Sequence, residues 1–329
     1  MLIRAPIPTT DLYFLNSCGD LVGRPWRRGP VQRMGANVFR VGERYLVIRR
    51  DVEDVIKEVL SNPTAEIIYL IDDNLNAVDD DGSLPEGYRT RLRTLRDDIY
   101  RRMLDRAALV VASSAAITEG LPAGTASRLI NPVWRGTPRP RTALTLKAGE
   151  RLDMVHLGTG SHGAGFQFLT PALEHVLARA SNLHFNYFSA RPLLQGLDNH
   201  PRVHRLRPKS WRAYQRALPG FRFHLGLYPI SGTPFNAARS INKILEYTLA
   251  GCPAMYNAAW AAPHGLVDGH SAFLAGSTME AWADYVMAIV EDPSQLAAVY
   301  DGARAQYAQM NDLSGQRAFW QDIFIRTGQ

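Results

Sequence analysis

The chain is poor in cysteine, and it lacks a long apolar run and any low-complexity segment beyond its arginine clusters. Only Cys18 and Cys252 are present, which argues against a disulfide framework and predicts a reducing compartment. No stretch of about 18 apolar residues occurs, so no transmembrane helix is predicted. The first residues lack the pattern of a secretory signal, and we expect a cytoplasmic protein. Without a Gly-x-Ser-x-Gly elbow, a Walker loop or zinc spacing, hydrolases, ATPases and metallopeptidases have little support.

Acidic residues are outnumbered by arginines in two stretches of the first half, although the formal net charge of the whole chain is only +6. The stretch 24–50 holds eight arginines and one acid, and the stretch 89–106 holds seven arginines and three aspartates. Such a surface favours an anionic acceptor or peripheral contact with an anionic membrane, or is merely solvated. Neither cluster interleaves aromatic residues as single-strand binders do, so we do not expect nucleic acid as a partner.

Short apolar runs alternate with helical patterns in both halves of the chain. In the first half, runs at 11–17, 44–50, 66–73 and 108–114 predict strands, and helices are predicted at 51–60 and 88–107. A proline-rich stretch at 135–150 without periodicity predicts a linker. The pattern predicts an α/β fold of two Rossmann-like domains, 1–145 and 146–329, with a ligand cleft between them.

The segment 235–251, FNAARSINKILEYTLAG, is the most informative part of the second half. It follows a predicted buried strand, and its apolar spacing predicts one helix closed by Gly251. Ser240, Lys243 and Glu246 are spaced i, i+3 and i+6, on one side of the helix. The helix start and Lys243 would bind a phosphate, and Glu246 would accept from ribose hydroxyls. Alternatively, Lys243 and Glu246 form an ordinary exposed ion pair.

The run FNAARSINKILEYTLAGCPAMYN resembles the donor-binding helix of GT-B glycosyltransferases, especially the bacterial family-four-like group. Matching positions are Phe235, Asn236, Arg239, Ser240, Lys243, Glu246, Tyr247, Gly251 and Pro253. In the first half, YLIDDNLN and ALVVASSAAITEGL are similar to two segments of the same family. The resemblance implies a GT-B fold, a nucleotide-sugar donor, a glycan or lipid-linked acceptor, and a place in polysaccharide or glycoconjugate assembly. It implies no cofactor, and no metal if cationic side chains stabilise the leaving phosphate.

The resemblance also implies roles for the matching residues. Phe235 and Asn236 would shape the donor pocket, and Arg239, Ser240 and Lys243 would contact the phosphate. Glu246 would hold the ribose.

A glycine-rich stretch at 156–163 follows the first strand of the second half. Glycines allow a ligand to approach the backbone closely, and amides at the next helix start favour phosphate. The stretch resembles a cleft loop of the same family, which implies contacts from Gly158, Ser161 and His162.

Asp72 and Asp73 end a predicted strand, so their carboxylates would point into the cleft. There, one of them would orient or deprotonate the acceptor hydroxyl, although a turn or capping role is the alternative. Asp72, Asp73 and His162 are therefore the candidate catalytic residues.

One position departs from the family pattern. Many retaining members carry two glutamates in this region; Glu246 matches the second, whereas Ala238 replaces the first. The contact to the sugar would then come from the loop 231–236, or the chain is a non-catalytic nucleotide- or sugar-binding module. The resemblance implies retention of anomeric configuration. A glycosyltransferase acting on nucleic acid is a further alternative, suggested by the arginine-rich half.

Two expectations concern residues outside these motifs. The acidic stretch 79–81 is expected to be a solvated loop rather than a metal site. Apolar spacing in predicted helices or turns also leads us to expect core packing for Trp211, Tyr214, Trp260 and Trp282.

Overall fold

The structure, a computed structural model, describes residues 6–24, 27–140, 144–158, 163–230 and 232–326. The described strands form two six-stranded sheets. The first has the order β1-β2-β3-β4-β5-β6, with β1 Gln32–Arg33, β2 Val38–Val41, β3 Arg44–Ile48, β4 Glu66–Ile71, β5 Ala107–Ala112 and β6 Ser127–Leu129. The second has the order β12-β11-β10-β7-β8-β9, with β7 Leu152–His156, β8 Leu183–Phe188, β9 Val203–Leu206, β10 Leu225–Tyr228, β11 Ala254–Asn257 and β12 Phe273–Ala275.

Helices connect the parallel strands, as the alternating pattern predicts. In the first half they span 8–18, Glu53–Ser61, 86–104 and Ala115–Glu119. In the second half they span Gly163–Arg179, Trp211–Ala217, Pro234–Ala237, Asn242–Ala250, Ala258–Ala261, Met279–Glu291, Ser294–Met310 and 313–325. None of the helices in the described ranges is both long and apolar enough to span a membrane.

In each sheet, the strands that lie at the cleft are parallel. All pairs of the second sheet are parallel, and so are the pairs from β3 to β6 in the first; β1, β2 and β3 pair antiparallel. Alternate residues of β4 enter different apolar clusters, with Ile67 and Tyr69 on one face and Ile68 and Leu70 on the other. A parallel sheet covered on both faces is the core of a Rossmann-like domain, so the predicted α/β architecture is confirmed.

The predicted strand at 11–17 is wrong, because these residues lie in the helix 8–18. Pro8 stands in the first turn, where its fixed φ favours a helix start. Phe14 packs against a phenylalanine of β2 on one side and against Trp320 on another. A helix covered on several sides shows no apolar period, so its sequence is not distinguishable from a short buried strand.

The last helix, 313–325, packs on the first sheet although it follows the second in the chain. The indole Nε1 of Trp320 donates to the carbonyl of Tyr13 at 2.6 Å, and the ring lies edge-on to Phe14. Gln316 is buried and donates to two carbonyls of the first half. The two ends of the described chain therefore meet on one sheet. The domain boundary at residue 145 stays a prediction.

Replacing Trp320 with alanine tests whether the last helix packs on the first sheet. The side chain is fully buried, so Trp320→Ala should lower the free energy of unfolding by about 3–5 kcal/mol in urea denaturation. The neighbouring Phe319 is only partly buried and serves as the control, with an expected loss of about 1 kcal/mol for Phe319→Ala. Equal losses for the two variants would contradict the docking of this helix.

Candidate functional site

A cavity of about 660 Å³ lies between the two domains. It is found at the carboxyl ends of strands from both parallel sheets, where loops of α/β proteins bind ligands. From the first half, its wall includes Arg49 after β3 and the pair Asp72 and Asp73 after β4. From the second half come Gly158, Ser189, Arg191, Lys209, Trp211, Tyr214, Tyr228, Arg239, Ser240, Asn242, Lys243 and Glu246. The cavity thus brings together most of the residues that the sequence predicts for the site.

The helix predicted through 235–250 is interrupted, and the interruption forms part of the cavity wall. Residues 238–241 separate the helix Pro234–Ala237 from the helix Asn242–Ala250. The backbone amides of residues 240–243 donate to no acceptor within the part of the chain that the structure describes. Free amides at the start of a nine-residue helix favour an anion. This break therefore presents a phosphate-binding backbone beside Ser240 and Lys243.

Lys243 and Glu246 form a largely buried pair and not the exposed ion pair that their spacing alone allows. The Lys243 ammonium lies 2.7 Å from Glu246 Oε2 and also donates to the carbonyl of Leu157. Glu246 is 5% exposed, and its Oε1 accepts from the hydroxyl of Tyr214. A carboxylate can accept about four hydrogen bonds, so further acceptor capacity remains on Glu246.

The end of β7 is held against the helix Asn242–Ala250 by Tyr247. Its hydroxyl accepts from the amide of Leu157 at 3.0 Å and donates to the carbonyl of Leu227 at 2.8 Å. A Cβ on Gly226 would lie 2.3 Å from the Tyr247 ring, so glycine is required there. These contacts place Gly158 on the cavity wall. The candidates Ser161 and His162 lie outside the described residues, and their roles stay predictions.

Asp72 and Asp73 belong to a buried charge cluster with two arginines. The Arg49 guanidinium lies 3.1 Å from Asp72 and 2.5 Å from Asp73. Arg239, from the helix break, lies 3.5 Å from Asp73, while the hydroxyl of Thr9 donates to Asp72 at 2.7 Å. Arg49 has a φ of +60°, a left-handed conformation that non-glycine residues rarely adopt. Strain of this kind persists where the surroundings fix it, here through the two ion pairs.

The two carboxyls differ in their protonation behaviour. Burial raises the pKa of Asp72, and the negative charge of Asp73 adds to the rise against the lowering effect of Arg49. Burial would also raise the pKa of Asp73, but the positive charges of Arg49 and Arg239 together lower it below its ordinary value. The Asp73 side chain is 3% exposed, whereas that of Asp72 is 18% exposed. Asp72 is therefore the more accessible and more basic carboxylate of the pair.

Phe235 and Ala238 point away from the cavity and into the core of the first domain. Both are 1% exposed and join the apolar cluster of β4 and β5. The Ala238 carbonyl accepts from the hydroxyl of Ser114 at 2.9 Å, and the Arg239 guanidinium lies over the Phe235 ring. Ala238, which stands where the family pattern has its first glutamate, is thus part of a contact between the two domains. Asn236 lines a smaller adjoining cavity of about 210 Å³, which shares Tyr228 and Arg239 with the larger one.

Trp260 and Trp282 are buried in the core, as predicted, and Trp211 and Tyr214 pack against it, but these last two also lie on the cavity wall, which the sequence did not predict. The Trp211 indole donates to Asp11 at 2.6 Å and packs edge-on to Trp134. Apolar spacing shows that a helix face is covered but does not show that a ligand cavity lies beside it. Their position directly after the carboxyl end of β9 is the signal that would have found them.

The acidic stretch 79–81 is only partly solvated, contrary to expectation. Asp79 is exposed, but Asp81 is fully buried and accepts from the hydroxyl of Thr233 at 2.6 Å. It also accepts from the amide of Ser83 at 2.9 Å. Asp81 therefore joins the first domain to the loop before the helix break. Within the described ranges, no group of three or more histidine, cysteine, aspartate or glutamate side chains could hold a metal ion.

The second arginine cluster is largely neutralised by neighbouring acids. Arg93 and Arg96 both pair with Asp79, and Arg102 pairs with Glu53 and Asp98. Unpaired charge is found instead on three exposed arginines of the first cluster, Arg24, Arg27 and Arg28, none of which forms an ion pair in the described part of the chain.

Comparisons with known proteins agree with this geometry. No protein-family model and no curated protein sequence matches the chain. Among solved structures, HepE from Anabaena in complex with UDP and glucose is 16% identical, with a TM-score of 0.59 over 84% of this chain and 76% of that one. Sucrose-phosphate synthase from Thermosynechococcus elongatus is 11% identical, with a TM-score of 0.58 over 82% and 69%. A glycosyltransferase from Rickettsia africae is 12% identical, with a TM-score of 0.52 over 84% and 75%. The predicted GT-B fold is thus confirmed.

The packing of Ala238 yields a test. A glutamate at this position would place a charge in the first domain's core, so Ala238→Glu should cost at least about 3 kcal/mol of stability. Ala237 precedes it, exposed at the end of the helix Pro234–Ala237, and Ala237→Glu should change stability by less than about 0.5 kcal/mol in the same urea titration. A stable Ala238→Glu protein would show that this position can face the cavity.

A second test concerns the buried charge cluster. Asp73→Asn leaves Arg239 without its counter-charge, so the free energy of unfolding should fall by about 3 kcal/mol. Asp79→Asn removes an exposed carboxylate that also pairs with two arginines and should cost less than about 1 kcal/mol. Similar losses in the two variants would mean that Asp73 is solvated.

Proposed function

We propose that this protein is a glycosyltransferase that moves a sugar from a nucleotide-sugar to an acceptor hydroxyl in the interdomain cavity. The observation that carries the proposal is the helix break, where free amides stand beside Ser240 and Lys243 on the cavity wall. A helix start with an adjacent cation suits the diphosphate of a sugar nucleotide. The structurally similar HepE is described in complex with UDP and with UDP-glucose.

In this proposal the donor lies along the second domain. The amides of residues 240–243, with Ser240, Lys243 and Arg239, bind the diphosphate. Glu246 accepts from ribose hydroxyls through lone pairs left over from Lys243 and Tyr214. As the glycosidic bond breaks, negative charge grows on the leaving phosphate. The fixed amides and cations stabilise that charge, and we propose that no metal or cofactor is needed.

The acceptor lies against the first domain. Asp72 is the carboxylate that orients or deprotonates the acceptor hydroxyl, because it is more accessible and more basic than Asp73. Asp73 acts through Arg239 and Arg49, which it holds in place. Retention of anomeric configuration is proposed from the family resemblance, with the smaller cavity beside Asn236 supplying contacts to the sugar.

We propose a glycan or lipid-linked acceptor, in polysaccharide or glycoconjugate assembly in the cytoplasm. The exposed and unpaired Arg24, Arg27 and Arg28 support peripheral contact with an anionic surface. The pairing of the second arginine cluster argues against a nucleic-acid acceptor, since its positive charge is largely neutralised.

A non-catalytic nucleotide-binding module is the second candidate. One observation favours it: the position of the sugar-facing glutamate is Ala238, which packs into the first domain. Such a module would bind a sugar nucleotide at the helix break but would not cleave the bond between the sugar and the nucleotide.

Isothermal calorimetry with nucleoside diphosphates and sugar nucleotides tests the donor site. Lys243→Met should weaken binding of the preferred nucleotide at least about tenfold, the effect of losing one charge-assisted hydrogen bond. Lys57→Met is the control. Lys57 is 68% exposed on another helix, so this variant should bind the nucleotide as the wild-type protein does. Thermal denaturation of both variants shows whether any loss of nucleotide binding is caused by misfolding.

Nucleotide release from the same sugar nucleotides separates the two candidates. Slow release by the wild-type protein, unchanged by EDTA, is expected of a metal-independent transferase. Binding without release, with and without acceptor glycans, would favour the module. An absence of binding by every nucleotide would refute both.

A further inference from the structure

Among the described residues of the cavity wall, two cations have no carboxylate partner. Its acids are Asp72, Asp73 and Glu246, and each is paired with a lining cation. Arg191 and Lys209 are the remaining lining cations. Both are exposed, and neither side chain makes a hydrogen bond or ion pair within the described ranges. A ligand that fills the cavity therefore meets two cationic donor groups there that no described protein group engages.

The sheet topology places these cations away from the phosphate-binding break. Arg191 follows β8 and Lys209 follows β9, whereas the Lys243 ammonium contacts the end of β7. The strands β7, β8 and β9 are parallel neighbours, about 4.8 Å apart. A nucleotide with its diphosphate at the break and its ribose at Glu246 would thus extend its base toward Arg191 and Lys209. This step rests on the proposed function.

The loop after β8 has acceptors nearby, but local contacts already use them. The carbonyl of Ala190 accepts from Arg205 at 3.2 Å. The hydroxyl of Ser189 donates to the carbonyl of Arg191 at 2.6 Å and accepts from its amide at 3.2 Å. The charged side chain that this loop leaves for a ligand, Arg191, is a hydrogen-bond donor. Trp211, on the adjoining wall, offers an aromatic face for a base.

We propose that Arg191 and Lys209 select a donor with a keto pyrimidine, uracil or thymine. These bases present two carbonyl oxygens and one N–H, which matches a site rich in donors. Cytosine and adenine present an amino group that would face cationic donors without an acceptor. Guanine has a carbonyl oxygen, but its neighbouring N–H groups ordinarily require a carboxylate. In this proposal the lining carboxylates are engaged elsewhere, Asp72 and Asp73 by arginines and Glu246 by Lys243 and the ribose.

Calorimetric titration with UDP, dTDP, CDP, GDP and ADP tests the selection. UDP and CDP are the sharpest pair, because they differ only in the group at position 4 and the proton on N3. We expect UDP and dTDP to bind the wild-type protein at least about tenfold more tightly than CDP, GDP and ADP. In the double variant Arg191→Gln/Lys209→Gln, the advantage of UDP over CDP should fall to within about twofold, since both selecting cations are gone.

The matched control is Arg207→Gln/Arg216→Gln. Both arginines are exposed and neither lines the cavity, so this variant loses the same charge and should keep the selectivity for UDP. Equal binding of UDP and CDP by the wild-type protein, or tighter binding of GDP or ADP, would overturn the base assignment and leave the proposed function intact. Equal weakening of UDP and CDP in the first double variant would identify phosphate contacts and also overturn it. If no nucleotide binds, the proposed function itself fails.

Discussion

The ion pair between Arg239 and Asp73 is the interaction on which the cleft depends. A charge buried at this depth is tolerated only beside a counter-charge, and here the two partners come from different domains. Arg49 completes the arrangement by pairing with the same aspartate from a strained backbone conformation. Each domain therefore supplies a partner that the other needs. The relative placement of the domains is then a property of the site as much as of the linker.

Local sequence patterns predicted the parts of the molecule that are locally determined. Alternating apolar runs were sufficient for the two Rossmann-like domains, because parallel strands buried on both faces are uniformly apolar. The spacing of Lys243 and Glu246 placed both on the cavity wall, since helical periodicity fixes which side chains share a face. Ser240 also lines the wall, but from the break before that helix. The break before Asn242 was not visible, because residues 238–241 contain neither glycine nor proline.

What the sequence did not reveal depends on contacts between distant segments. Tyr214 reaches Glu246 and Asp81 reaches Thr233, and neither pairing leaves a mark on local periodicity. Burial of the helix 8–18 on several sides removed the period that would have identified it. The same reasoning explains Ala238: its departure from the family pattern is visible in the sequence, but its packing partner is not.

The last helix determines when the core of the first domain becomes complete during synthesis. Residues 313–325 cover the buried face around Phe14, so the first domain lacks part of its own core until this helix has been made. During synthesis, that apolar face would emerge hundreds of residues before the segment that shields it. The core of the amino-terminal domain is therefore complete only after the last helix docks, and an apolar face left open in this way favours non-native contacts.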